Sequence, residues 1–260
     1  MHRPRGPKRR GRSRSRRRWP RFSFRNQDRI REVRQDSTVL PVILSLFLAQ
    51  TAPAYEARST PADAAALLAP DAGEWDTATE VDWGPEPYRT RFRALWNKHG
   101  LHLRFDSEDD SPWFTMTERD DRLWEEEVVE IFLDPLGDGR YVEVELNPAN
   151  VVCDLRRLGP GETASDPIGP MDRGFSVTGM QTAVATSDDR WIGTLYFPWE
   201  GLDLPVAPAP GAEIPFNVFR IKRPGGPDAP DEGAVFAAWS PTGSPSFHVP
   251  EAFRPLRLIP

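Results

Sequence analysis

Cysteine is almost absent from this chain. Its one cysteine, Cys153, cannot close an internal disulfide or supply a thiolate cluster for zinc. Short catalytic signatures are missing as well. No G-x-S-x-G elbow, H-E-x-x-H helix, P-loop or G-x-G-x-x-G turn occurs in the 260 residues, which removes the hydrolases, peptidases, NTPases and dinucleotide enzymes built on them. Long apolar runs are lacking too. The run Val39–Ala49 has eleven residues, short of the roughly 20 that span a bilayer as a helix. With 28 Pro and 19 Gly, the chain is also interrupted too often for long helices.

What charge there is, is unevenly placed. Residues 1–36 carry 15 Lys and Arg against 3 acids, and the remainder carries 18 against 36. The acidic remainder argues against nucleic acid as its partner, because both would carry negative charge. The opening "MHRPRGPKRRGRSRSRRRWPRF" reads as a basic disordered leader over residues 1–36, with a start codon assigned too far upstream. Val39–Ala49 has the length of a signal-peptide h-region, and Ala52 and Ala54 in "QTAPA" stand in the A-x-A arrangement that signal peptidase reads. Residues 37–54 are therefore expected to be an export signal. Cleavage after Ala54 leaves Tyr55 at the head of a secreted or periplasmic domain with no transmembrane segment. The competing reading of the apolar run is a buried strand.

From residue 89 onward, apolar and polar residues alternate with a period of two. "RTRFRALWN" sets Phe92, Ala94 and Trp96 against Arg91, Arg93 and Leu95. "LHLRF" sets Leu101, Leu103 and Phe105 against His102 and Arg104. "VVEIFLD" sets Val129, Ile131 and Leu133 against Glu130 and Phe132. "YVEVELNP" sets Val142, Val144 and Leu146 against Tyr141, Glu143, Glu145 and Asn147. Each is the pattern of a strand with one face on a core. "PLGDGR" reads as the hairpin turn between the last two. Five later segments alternate similarly, separated by "SDD", "APAPGAE" and "PGGPDAP", and "PADAAALLAP" reads as one short helix. Many short strands without a βαβ rhythm predict an all-β fold, a two-sheet antiparallel β-sandwich, over residues 55–260.

Candidate chemistry is confined to carboxylates and aromatics. Cys153, within "NVVCDLRR", reads as a small strand residue rather than a nucleophile. Glu130, Glu143 and Glu145 are candidate acid and base for glycoside cleavage, or solvated charge on an outer strand face. Asp106, Asp109 and Asp110 in "DSEDD" are hard-oxygen candidates for calcium. Trp113 and Trp124 lie in polar, irregular stretches, unlike Trp96, Trp191 and Trp239 within strands. An indole face stacks on the C–H face of a pyranose, and a neighbouring carboxylate accepts from ring hydroxyls, so these tryptophans beside Glu130, Glu143 and Glu145 read as a sugar-recognition surface.

"WEEEVVEIFLD" resembles the W-x-x-D-x-V-E-I-F-I-D signature of carbohydrate-binding module family 9, in the DOMON-like β-sandwich group. "FRALWNKHGLHLRFDSED" is similar to that family's early strand pair, "YVEVELNP" to the strand after its hairpin, and "SPSFHVPEAFRPLRLI" to its closing segment. The resemblance covers roughly residues 75–260. It implies a non-catalytic module, associated with glycoside hydrolases and polysaccharide breakdown, that grips terminal sugars between two aromatic residues. Trp124 matches the first clamp position and Phe247 the second, where the family pattern has Trp. Glu130 matches the glutamate that hydrogen-bonds the sugar. Glu143 and Glu145 fall where the pattern has Arg and Asn. A structural calcium ion is a further implication, as is a free-standing member of the family. The same superfamily includes b-type haem domains, for which Met116 and His248 are the candidate ligands. A third reading is an adhesion or partner-binding sandwich with no small ligand.

Overall fold

The computed structural model describes residues 53–159, 169–229 and 233–260. The expected leader and most of the expected export signal lie outside the described residues. Chain order is β1 (Tyr55–Ser59), α1 (Ala64–Leu68), β2 (Glu80–Trp83), β3 (Thr90–Asn97), β4 (Gly100–Glu108), β5 (Val128–Leu133), β6 (Val142–Leu146), β7 (Val152–Arg157), β8 (Met171–Asp172), β9 (Gln181–Thr186), β10 (Arg190–Pro198), β11 (Glu213–Lys222), β12 (Val235–Ala238) and β13 (Arg254–Ile259). The strands run in one curled, continuous order, β8-β7-β6-β5-β11-β13-β1-β3-β4-β10-β9, with β12 beside β11 and β2 beside β3.

Curling folds this order into two layers, as the sandwich expectation requires. Val129, Ile131, Val144 and Leu146 from one half share a core with Phe92, Leu103, Phe105, Trp191 and Leu195 from the other. The layers meet closely at Gly193 on β10, where an added Cβ would lie 2.8 Å from Leu146 Cδ2 on β6. A side chain there would force the layers apart, and dense cores tolerate such insertion poorly.

Three features depart from the sequence reading. First, the sheet is not wholly antiparallel: β1 pairs parallel with both β13 and β3. Its five residues, YEARS, carry too little alternation to have been read. Yet Tyr55 is buried, donates its hydroxyl proton to the Thr79 carbonyl at 2.5 Å and accepts from the Ala94 amide at 2.6 Å. Second, Leu95 and His102, expected on an outer face, are 0% and 1% exposed. The helix α1, capped by Asp63 accepting from the Ala66 amide, covers that face together with the 3-10 segment Gly73–Thr77, so that Leu67 and Trp75 pack on Leu95. Third, "PLGDGR" is a loop longer than a two-residue turn. The Asp134 carboxylate accepts from the amides of Asp138 and Gly139, and Gly137 and Gly139 take positive φ, which glycine adopts without strain.

The loop between β4 and β5 is tied down by buried charge. Asp109 lies 2.7 Å from Arg220 Nη2 and 2.6 Å from Lys222 Nζ, and Lys222 also reaches Glu127 at 2.8 Å. All four side chains are essentially inaccessible to water. Removing one member of such a cluster strands the others without compensation. Glu126 fastens the same loop by accepting from the Thr115 and Met116 amides and from the Thr115 hydroxyl. These contacts hold the segment that carries Trp113 and Trp124.

Candidate functional site

On the face of β5, β6, β7 and β11 turned away from the main core stand Glu130 and Phe132, Glu143 and Glu145, Cys153 and Leu155, and Phe219 and Ile221. Their places follow from strand register: Glu130 pairs with Glu145 across β5 and β6 and with Phe219 across β5 and β11, while Phe132 pairs with Glu143. The alternation therefore sorted the three glutamates onto one face correctly. It did not give their solvation. Glu130, Glu143 and Glu145 are 2%, 4% and 0% exposed, so the expected solvated outer face is a correction. The physical reason is a second cover. Phe247 stacks on Phe219 with centroids 4.3 Å apart, and His248 packs on Phe132 at 5.1 Å.

Between this floor and its cover lies a cleft of about 400 Å³. Glu130, Glu143, Leu155 and Ile221 line it from the sheet, Trp124 with Arg122 from the β4–β5 loop, and Met171 with Arg173 from the β8 region. Arg223, Phe236, Ser246, Phe247 and His248 complete the walls. Trp124, Glu130, Phe247 and Glu143 are thus brought together. Glu145 sits beside them on the sheet face and does not line the cleft. Trp113 lies outside it; its indole Nε1 donates to the Arg223 carbonyl at 2.6 Å. Arg122, Arg173, Arg223 and Phe236 were missed, and nothing in their local sequence marks them as neighbours of Glu130.

The indole of Trp124 is half-buried, with the guanidiniums of Arg122 and Arg173 at 5.4 and 5.3 Å from its ring centroid. One face of Phe247 is taken by Phe219. Beneath them, burial is the main cause that lifts all three carboxyls out of the usual carboxylate range. Glu130 is raised well above that range by burial and then by the Glu143 charge. Glu145 is raised well above it by burial and by both neighbours. Glu143 is raised to about 7 by burial, opposed by its neighbour Glu145 and by the fields of Arg173 and Arg157. Such a cluster holds protons at neutral pH that a solvated cluster would release.

Arg157 Nη1 donates to the Tyr141 oxygen at 3.3 Å, and the Tyr141 hydroxyl shares a hydrogen bond with His248 Nδ1 at 2.7 Å. Burial lowers the pKa of His248 to about 4, with Arg157 adding to the effect, so the ring is neutral. Met116 does not line the cleft, and packs against the cluster of Leu123, Val128 and Ile221.

The calcium candidates are not gathered. Asp106 faces Arg91 and Arg190, Asp109 is held by Arg220 and Lys222, and Asp110 accepts from the Ser111 hydroxyl. Among the described residues, no three His, Cys, Asp or Glu side chains are grouped to hold a metal ion. Also among the described residues, no helix is long and apolar enough to cross a membrane.

A curled β-sandwich with an aromatic and carboxylate cleft on one sheet face defines a class of binding domain. Residues 63–258 match the family model of carbohydrate-binding family 9, and the chain belongs to that family. Its fold is similar to that of a Bacteroides uniformis ATCC 8492 protein provisionally described as carbohydrate-binding, at TM-score 0.61 and 18% identity, covering 78% of this chain and 97% of that one. It is also similar to a family 9 module of Caldicellulosiruptor kristjanssonii solved with cellotriose, at TM-score 0.54 and 13% identity, covering 78% and 93%. The same description applies to a family 9 module of that organism solved with glucose, at TM-score 0.50 and 12% identity, covering 72% and 86%. No curated protein matches the sequence.

Proposed function

We propose that this domain is an exported, non-catalytic module that binds the end of an oligosaccharide or polysaccharide in the cleft between Trp124 and Phe247, working beside glycoside hydrolases. The observation that carries the reading is that Phe247 lines one cleft of about 400 Å³ together with Trp124 and Glu130, which lie far from it in sequence. That volume lies within the range of small-molecule sites. A sugar ring brings an apolar C–H face and a polar edge. Trp124 and Phe247 supply apolar surface, and Glu130 and Glu143 supply carboxyl groups to the hydroxyls. Held as neutral acids, these carboxyls donate as well as accept, which suits hydroxyl groups that do both. Membership of family 9 and the glucose and cellotriose complexes of similar modules support this assignment.

The test is calorimetric titration with glucose and cellotriose. Replacing Trp124 by Ala is expected to weaken binding roughly 5–150-fold, by analogy with the loss of a stacking platform for a nucleobase. Unchanged affinity in both Trp124→Ala and Phe247→Ala would remove the clamp from the reading.

A further inference from the structure

The floor of the cleft, and the sheet face beside it, carry acid that no side-chain donor of the protein answers. Glu143 Oε2 and both carboxyl oxygens of Glu145 have no hydrogen-bond partner, although these side chains are 4% and 0% exposed. The nearest ring nitrogen cannot help. His248 Nδ1 lies 3.8 Å from Glu143 Oε2, but it is already hydrogen-bonded to the Tyr141 hydroxyl. The cations around the cleft have other contacts, and Arg173 and Arg157 act on Glu143 through their fields. Arg157 bonds Tyr141 and the Gly159 carbonyl, Arg122 pairs with Glu125 at 2.5 Å, Arg173 lies over Trp124, and Arg223 lies over Phe236. A buried carboxylate without a donor is costly. It is relieved by taking a proton or by taking a cation from outside the chain.

We propose that the cleft selects glycans bearing a primary ammonium group, such as 2-amino-2-deoxy sugars, and that this ammonium sits on the Glu143 carboxylate. The inference rests on the carbohydrate-binding reading and names its ligand class. An ammonium carries three donors and no acceptor. Glu143 and Glu130 line the cleft, Glu130 faces Glu145 across the strands, and Glu143 stands two residues along β6 on the same face. Two carboxyl groups, Glu130 and Glu143, therefore open onto the cleft floor, where a neutral hydroxyl brings only one donor and no charge. An acidic sugar fits less well, because its carboxylate would meet the glutamates at depth.

The purified protein is titrated at pH 6 with four ligands of matched length: cellotriose, the glucosamine trimer, the N-acetylglucosamine trimer and a uronic acid trimer. The glucosamine trimer is expected to bind roughly 10–150-fold tighter than its N-acetylated form, the range for a hydrogen bond to a charged group. Glu143, raised to about 7, is largely protonated at pH 6. Pairing with ammonium therefore releases roughly one proton to the buffer, which titrations in buffers of different ionisation enthalpy detect; cellotriose binding releases none. Glu143→Gln lowers the preference for the amine, and Glu130→Gln serves as a second variant if the first fails to fold. Equal affinity for the amine and its acetylated form, or preference for the uronic acid, overturns this proposal and leaves the carbohydrate-binding reading standing. Failure to bind any of the four overturns both.

Discussion

Replacing Glu143 with glutamine removes an ionisation that the fold resists, so its effect on stability should depend on pH in a defined direction. Unfolded, this carboxyl titrates at its ordinary 4.5, and folded it is raised to about 7 by burial. Between those values the native state keeps a proton that the unfolded state has lost. The stabilising contribution is complete below pH 4.5 and is lost as pH rises through 7. A span of 2.5 pH units at roughly 1.4 kcal/mol each gives about 3 kcal/mol for this group, as an upper figure. For a domain near 200 residues, each kcal/mol moves the melting temperature by roughly 2–4 °C, so the loss is roughly 6–12 °C. Glu130 and Glu145, held well above the ordinary range, extend the decline to higher pH. The assay is thermal melting from pH 5 to pH 8 for the wild type and Glu143→Gln. The wild type should melt at lower temperature as pH rises, and the glutamine variant should decline less, so the two curves separate toward pH 8. Parallel curves would refute the reasoning, since they would mean that Glu143 is already ionised and solvated in the native state.

Three other predictions address the frame and the export signal. Asp109→Ala should cost about 3–5 kcal/mol, because Arg220 is left buried without its carboxylate and Lys222 keeps only Glu127; hydrogen exchange should show the β4–β5 loop opening first, and exchange unchanged from wild type would contradict the arrangement. Trp96→Ala should cost about 3–5 kcal/mol in denaturant unfolding, from lost burial and from the lost bond of its Nε1 to the Ile259 carbonyl, and a cost under 1 kcal/mol would place that ring outside the core. N-terminal sequencing of the protein recovered from its native cells should begin at Tyr55, the first residue of β1, whereas recovery with the basic leader intact would overturn export.

Local alternation marked out the strands and sorted their faces. Alternation in "VVEIFLD" and "YVEVELNP" placed Glu130, Glu143 and Glu145 together, because side chains two residues apart on a strand must share a face. The family was legible in the same stretch, since "WEEEVVEIFLD" joins the loop tryptophan to the strand glutamate. Alternation distinguishes two faces without saying which meets water. That was decided by segments distant in the chain: α1 and Trp75 cover Leu95, and Phe247 and His248 cover the glutamates. Tyr141 and His248, joined by one hydrogen bond, stand 107 residues apart, and no local pattern carries such a pairing. The parallel seating of β1 escaped for the same reason, because five weakly alternating residues acquire meaning only between β13 and β3. Solvation, and with it the protonation of the three glutamates, belongs to the tertiary structure, because a carboxyl group's environment is set by whatever packs above it rather than by its neighbours along the chain.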